Sequence, residues 1–183
     1  MKRYFLLIAT ILFLSISCKQ NGYKIEYEKS STGEKYISSE GNYIDGKKDG
    51  VWKVYNLWGG HTYGLWWETT YKNGIEEGLY KSYRDPIVNT KSFRPNTIGH
   101  LSSEGYYKDG KEDGIWKYYF YEKSGQLKKE EEYKDGLLLY IKNYYINGQL
   151  SWTRKYDDGE EVYTKCWDED GNEINCDEMK YSG

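Results

Sequence analysis

A short unit repeats five times along the chain, and this repeat constrains the fold more than any other feature. Each copy begins with a tyrosine that stands two residues before an Asp-Gly or Asn-Gly pair. The anchor tyrosines are Tyr43, Tyr71, Tyr107, Tyr133 and Tyr156. Asp-Gly and Asn-Gly pairs favour tight hairpin turns, because these residues tolerate positive φ. A spacing shared by five copies therefore predicts a series of similar hairpins.

The segments that flank the turns have the composition of β-strands. Residues 115–119 follow a glycine and are rich in β-branched and aromatic side chains. In an extended strand their odd-numbered residues would share one face and their even-numbered residues the other. A lone hairpin is marginally stable in water, so we expect the copies to stack on one another.

The predicted fold class is all-β, with repeated antiparallel hairpins stacked into an elongated, twisted meander sheet. A signal segment precedes this sheet at the N-terminus. Helix is not expected, because no long apolar pattern with a period near 3.6 follows residue 20.

The copies resemble the MORN repeat, and most closely a bacterial variant with the pattern E-G-x-Y-x-D-G-K-x-D-G-x-W-K-x-Y. Residues 40–55 and 104–119 match this pattern almost position for position. The second copy has Tyr80 in place of the tryptophan, the fourth has apolar residues at 137–140, and the fifth keeps little beyond its turn. The resemblance implies the stacked-hairpin fold. It leaves function open, since this repeat serves many roles; proteins built of it are often labelled YwqK-type antitoxins.

The first residues resemble a bacterial lipoprotein signal. Lys2 and Arg3 precede an apolar run at 4–16 that is short for a permanent membrane span. The run ends at Ser15-Ile16-Ser17-Cys18, and small residues before a cysteine resemble the lipobox. The resemblance implies that residues 1–17 are removed and that Cys18 carries a lipid. The absence of an acidic residue directly after Cys18 resembles outer-membrane lipoproteins, here facing the periplasm. The alternative is an ordinary secretory signal with an incidental cysteine.

We divide the chain into a lipoprotein signal peptide at 1–17, a tether and first strand at 18–32, the MORN-like hairpin repeat domain at 33–175 and a C-terminal tail at 176–183. Near the end of the repeats lie Cys166 and Cys176. In an oxidising compartment this pair is compatible with a disulfide that closes the last hairpin. A zinc site is less favoured, because no histidine is near.

Two segments are candidates for ligand binding. Trp58, Trp66 and Trp67 form the densest aromatic patch, which would serve either as a stacking platform for a sugar or peptide or as packing in a sheet with little aliphatic core. A long segment at 85–100 interrupts the repeat and holds Arg94, with Arg84 just before it. Such a loop is either a binding element or a tolerated insertion.

The sequence gives no support for an enzyme or for nucleic-acid binding. Its two histidines, His61 and His100, lie in different segments, and there is no G-x-S-x-G motif. We therefore expect no catalytic residues, no cofactor and no metal site. The formal net charge is −3 and the acidic residues are interspersed with the basic ones. A nucleic-acid binder would instead carry a basic stripe.

Together these features predict a non-enzymatic, lipid-anchored module of the cell envelope that binds another protein. The membrane would be contacted through the N-terminal lipid. One alternative is carbohydrate or cell-wall binding through the tryptophan platform. Another is an antitoxin-like component of a toxin–antitoxin system, although a cytosolic partner fits poorly with a signal sequence.

Overall fold

The computed structural model describes residues 20–58, 62–84, 99–123 and 125–179, and these residues form a single antiparallel sheet. The strands are β1 (Gly22–Lys29), β2 (Lys35–Ile44), β3 (Lys47–Trp58), β4 (Thr62–Lys72), β5 (Ile75–Arg84), β6 (His100–Lys108), β7 (Lys111–Tyr119), β8 (Leu127–Lys134), β9 (Leu137–Tyr144), β10 (Leu150–Asp157), β11 (Glu160–Trp167) and β12 (Glu173–Ile174). Their order in the sheet is their order in the chain. The predicted all-β meander of hairpins is therefore confirmed.

The five predicted turns lie at the tips of five hairpins. Their first residues are Asp45, Asn73, Asp109, Asp135 and Asp158, with φ from 46° to 53°, and the following glycines have φ from 74° to 84°. Positive φ at both central residues defines a type I′ turn, whose twist matches that of the flanking strands. The Asp/Asn-Gly pairs are thus required by the backbone conformation.

The second, third and fourth turns are each hydrogen-bonded to the preceding hairpin. The Gly74 N–H donates to the Lys48 carbonyl at 2.8 Å, and equivalent bonds join Gly110 to Glu76 and Gly136 to Glu112. For the first turn, the carbonyl of Gln20 accepts from Gly46. The first four turns therefore form a continuous series along one end of the strands.

Acidic side chains add a second bond at the second, third and fourth turns, and at the first turn the Asn21 amide oxygen accepts from the Asp45 N–H. The Asn73 N–H donates to Asp49 Oδ2 at 3.2 Å, and the Asp135 N–H donates to Asp113 Oδ2 at 3.1 Å. This contact explains the second acidic residue of the repeat, four residues after the first. In the fourth copy that position is Leu139, so it offers no acidic acceptor to the fifth turn.

One side of the sheet, which we call the packed face, buries the repeat tryptophans. Trp52 is fully buried, and Trp116 is nearly so. Each ring lies over a glycine of the preceding strand: a Cβ atom added to Gly41 would lie 2.5 Å from Trp52 Cδ2, and Gly105 is covered by Trp116 in the same way. The Glu-Gly and Gly-x-Trp elements of the repeat therefore form one packing unit.

In the second copy, different residues fill the corresponding positions of the packed face. Thr69 is buried directly opposite Tyr80, in the positions that glycine and tryptophan occupy elsewhere. The Tyr80 ring lies 5.3 Å from the Trp116 ring and 6.4 Å from the Trp67 ring. A smaller ring is thus matched with a larger strand residue, and the aromatic layer continues across the hairpins.

The packed face also holds a buried carboxylate. Glu131 is buried, and its oxygens accept hydrogen bonds from Lys129 Nζ at 2.6 Å and from the Tyr133 hydroxyl at 3.0 Å. Burial acts to raise the pKa of Glu131, but the hydrogen bonds from Lys129 and Tyr118 outweigh it and lower the pKa. The carboxylate is therefore ionised and paired within the sheet.

A disulfide between Cys166 and Cys176 ties the segment after β12 to β11, with the two Cα atoms 5.2 Å apart. A short 3-10 turn at Cys176–Glu178 follows. In the preceding turn, Asp168 Oδ1 accepts from the backbone N–H groups of Asp170 and Asn172. Among the described residues no group of three or more metal-binding side chains occurs.

Candidate functional site

The side of the sheet opposite the packed face carries a row of alternating charge. From β2 to β9 the row is Glu40, Lys53, Glu68, Lys81, Glu104, Lys117, Glu130 and Lys142, and each residue lies directly opposite the next in the strand register. Directly opposed residues of antiparallel strands share a face and interact. We call this row the charge ladder and this side the ladder face. The alternation ends at β10, where Thr153 faces Lys142.

Four tyrosine hydroxyls donate hydrogen bonds to the ladder glutamates. The pairs are Tyr55–Glu40 at 2.6 Å, Tyr83–Glu68 at 3.0 Å, Tyr119–Glu104 at 2.7 Å and Tyr144–Glu130 at 2.8 Å. Burial, together with the Glu68 carboxylate, raises the pKa of Tyr83 to about 12. The hydroxyl is thus a neutral donor at neutral pH. Each tyrosine thus holds one carboxylate of the ladder in position within the sheet.

Apolar side chains stand beside the charge ladder on the same face. Val51, Leu79, Tyr106 and Ile115 are 53%, 48%, 47% and 47% exposed. Leu79 and Tyr106 are direct cross-strand neighbours. We call these four residues the apolar row. Neighbouring exposed apolar side chains indicate an interaction surface more often than isolated ones do.

The ladder face is open. A cavity lined by Ile115, Glu130, Glu132, Tyr140 and Lys142 measures about 20 Å³. That volume accommodates about one water molecule. Pockets for small-molecule ligands typically measure about 300–1,000 Å³. This cavity is therefore much smaller than a typical small-molecule pocket.

The structure describes the side chains of two of the three tryptophans in the predicted platform. Trp67 faces Val54 and Ser82 across the strands and belongs to the packed face. Trp66 lies where the register of β3 and β4 shifts by one residue, and it is 46% exposed. The side chain of Trp58 lies outside the described part of the structure.

The other predicted sites have mixed outcomes. Arg84 is the exposed last residue of β5, with its Cα opposite that of His100. Arg94 and the lipid-attachment residue Cys18 lie outside the described residues. The structure joins Cys166 to Cys176. No helix among the described residues has the length and apolar character needed to cross a membrane.

Sequence reasoning missed the charge ladder, although the repeat contains its signal. A glutamate stands three residues before the first four anchor tyrosines, as Glu40 does before Tyr43. A lysine stands ten residues after the first three, as Lys53 does after Tyr43. Aligning the copies by column shows both positions, and the strand register is what joins them into one row.

Comparisons with protein-family models, with curated proteins and with solved structures find no match for this chain.

Proposed function

We propose that this protein is a non-enzymatic, lipid-anchored module of the cell envelope that binds another protein through its ladder face. The observation that carries the proposal is the charge ladder with the apolar row beside it. One surface thus combines fixed charges, which select a partner, with exposed apolar area, which favours association.

The size of the apolar row indicates a modest affinity. Complete burial of a large aliphatic side chain is worth about 1.5–3 kcal/mol, and the four members of the row are each about half exposed. Covering all four would contribute about 3–6 kcal/mol, similar to the lower estimates of the free-energy cost of association. The charge ladder would then decide which partner binds, because matched charges favour one partner and like charges reject others.

The envelope location is supported by the lipobox-like sequence that ends at Cys18. Metabolic labelling with a fatty-acid probe tests it. We expect label on the wild-type protein and its membrane fraction, and loss of both in Cys18→Ala. An unlabelled wild-type protein would remove the anchor and return the antitoxin alternative to consideration.

Site-specific photo-crosslinking in intact membranes tests the binding surface. A photo-reactive residue replaces Leu79 on the ladder face. In a matched control it replaces Lys24, an exposed residue of β1 that faces Gly41 on the packed side. We expect a protein adduct from position 79 that disappears in the Glu104→Lys background, and none from position 24. If no ladder-face position yields an adduct, the proposed function is wrong.

The exposed ring of Trp66 supports the carbohydrate alternative. Exposed aromatic rings provide apolar faces on which sugars can stack. Titration with peptidoglycan fragments, followed by tryptophan fluorescence in the wild type and in Trp66→Ala, separates the two functions. A fragment-dependent change that Trp66→Ala abolishes would favour carbohydrate binding.

A further inference from the structure

The charge ladder is complementary to its own reverse. It has eight rungs, begins with Glu40 and ends with Lys142. Because the number of rungs is even and the charges alternate, reading the ladder backwards places a lysine against every glutamate. Two such faces, turned toward each other with the ladder direction reversed, therefore match at all eight positions.

We propose that the partner of the ladder face is a second copy of this chain. The inference rests on the proposed function and specifies its partner. The two copies dock face to face about a two-fold axis that runs parallel to the strands between β5 and β6. Lys81 then faces Glu104 of the partner subunit, and Glu68 faces Lys117 of the partner subunit. Two-fold interfaces of this self-complementary kind are the most common in homo-oligomers.

The same rotation brings the central apolar side chains together. An axis parallel to the strands preserves position along each strand, so the Leu79–Tyr106 pair of one copy lies against that of the other. Ile115 then lies against Thr70 of the partner subunit, and Val51 lies against Glu132 of the partner subunit. Leu79 faces Tyr106 of the partner subunit, and Tyr106 faces Leu79 of the partner subunit. Ion pairs and apolar contacts are thus formed by one docking geometry.

The alternation also excludes the nearest wrong register. Sliding one copy by a single strand sets glutamate against glutamate and lysine against lysine along the whole ladder. Like charges in contact across an interface are unfavourable and reject that arrangement. Because hydroxyls such as that of Tyr119 hold the glutamates, the carboxylates cannot easily rotate away from such repulsion.

The size of the surface indicates a weak dimer. Seven gaps between neighbouring strands of about 4.8 Å each give a ladder about 34 Å long. Along the strand direction, three successive side-chain positions on the ladder face span roughly 15 Å. Each copy would therefore cover about 500 Å², below the roughly 800 Å² per partner of a standard interface. Strand twist brings the rungs nearest the axis closest together, so those four rungs carry most of the contact.

Lipid anchoring of both copies would compensate for this small area. Two proteins held on one membrane meet at an effective concentration that reaches the millimolar range, as for modules joined by short linkers. The dimer is therefore best tested with the full-length lipidated protein in its membrane. A carbodiimide, which joins lysine directly to carboxylate, is a suitable probe because it reports lysine–glutamate contacts.

The decisive experiment uses two charge reversals, Lys81→Glu and Glu104→Lys. The proteins are co-expressed with two different epitope tags, and the dimer is measured by carbodiimide crosslinking and by co-precipitation. In a Lys81→Glu dimer, two acidic residues meet at both symmetry-related contacts. In a Glu104→Lys dimer, two lysines meet. We expect each variant alone to lose at least tenfold in dimer yield, about 1.4 kcal/mol.

Mixing the two variants should restore the dimer. A Lys81→Glu copy presents acids at positions 81 and 104, a Glu104→Lys copy presents lysines at both, and each contact is again an opposite-charge pair. Misfolding could not be rescued in this way. Lys24→Glu, a charge reversal on the packed side, should leave the wild-type dimer yield unchanged.

Three results would overturn the self-pairing. A monomeric wild-type protein in membranes is one, and the absence of rescue on mixing is another. The third is an adduct from position 79 that contains a different protein in place of a second copy; in that case the proposed function stands and only the partner is wrong. If no ladder-face position gives an adduct, both proposals fail.

Discussion

The pairing of a small residue with a large ring on the packed face can be tested by changing both members. Gly41 and Trp52 are exchanged for the pair that the second copy uses, giving Gly41→Thr, Trp52→Tyr and the double variant. Thr69 and Tyr80 show that threonine and tyrosine fit together in this position of the sheet.

The structure sets the expected magnitude of the single changes. A Cβ atom at Gly41 would lie 2.5 Å from the Trp52 ring, whereas ordinary contacts begin near 3.4 Å. Overpacking of a core typically costs about 1–3 kcal/mol. If Trp52 were expelled instead, loss of about 200 Å² of buried surface would cost up to about 5 kcal/mol. Trp52→Tyr leaves a void and removes the hydrogen bond from Trp52 Nε1 to the Asn42 carbonyl, and we expect it to cost about 2–3 kcal/mol.

The double variant should be more stable than the sum of these costs implies, by at least about 1 kcal/mol, because tyrosine leaves room for threonine. Urea unfolding followed by far-UV circular dichroism supplies the four free energies of unfolding for the cycle. The direction of the stability change in Gly41→Thr is informative by itself, because replacing glycine with threonine inside a strand normally stabilises the protein. Additive effects, or a stabilising Gly41→Thr, would refute the packing explanation.

Three further predictions concern other parts of the sheet. Cys176→Ser should lower the free energy of unfolding by about 2–3 kcal/mol, because the disulfide closes a loop of about ten residues; urea unfolding with and without reductant measures it. Asp113→Ala should lower the free energy of unfolding by about 1 kcal/mol, because it removes the acceptor for the Asp135 N–H. Asp113→Asn keeps an acceptor and should leave the stability nearly unchanged. Thermal melts in which both variants behaved alike would contradict this prediction. Burial and the Glu76 carboxylate raise the pKa of Tyr107 to about 12, above the value of 10.0 in the unfolded chain. The stability that this tyrosine contributes is therefore complete below pH 10 and is lost as the pH rises to about 12. Ultraviolet titration of folded and urea-unfolded protein checks the last point, and one shared midpoint near 10 would contradict it.

Sequence reasoning succeeded where the chemistry is local. The turn at Asp109-Gly110 follows from the tolerance of these residues for positive φ, and both have it. The predicted division of residues 115–119 between two faces is also correct, since Ile115 is exposed and Trp116 is buried. Neither result depends on the order of the strands in the sheet.

The charge ladder could not be read from spacing alone, because it depends on register. Lys53 follows Glu40 by thirteen residues, but Glu68 follows Lys53 by fifteen. The register shift of β3 and β4 between Val54 and Tyr55 contributes to the difference. Which side chains meet across a sheet is thus decided by irregularities that a repeat pattern does not specify.

The fourth copy shows the same limit. Its apolar segment begins β9 at Leu137 and does not lie in the turn, which is formed by Asp135-Gly136. This copy is one residue shorter before its ladder tyrosine, so Tyr144 donates to Glu130 and Tyr145 lies outside the strand. The other three tyrosines that bond to ladder glutamates stand twelve residues after their anchor tyrosines, whereas Tyr144 stands eleven after Tyr133.

The backbone hydrogen bonds between the Asp/Asn-Gly turns and neighbouring hairpins all point in one direction along the chain. Every turn from the second to the fourth donates to acceptors in the hairpin before it, as Gly74 donates to Lys48. The earliest acceptors, Gln20 and Asn21, stand just after Cys18 in the chain. Under the proposed lipid attachment at Cys18, the acceptors of the first turn would therefore be the ones next to the membrane. The β10–β11 hairpin, which receives no acidic acceptor from its predecessor, is followed by the disulfide that ties the segment after β12 to β11.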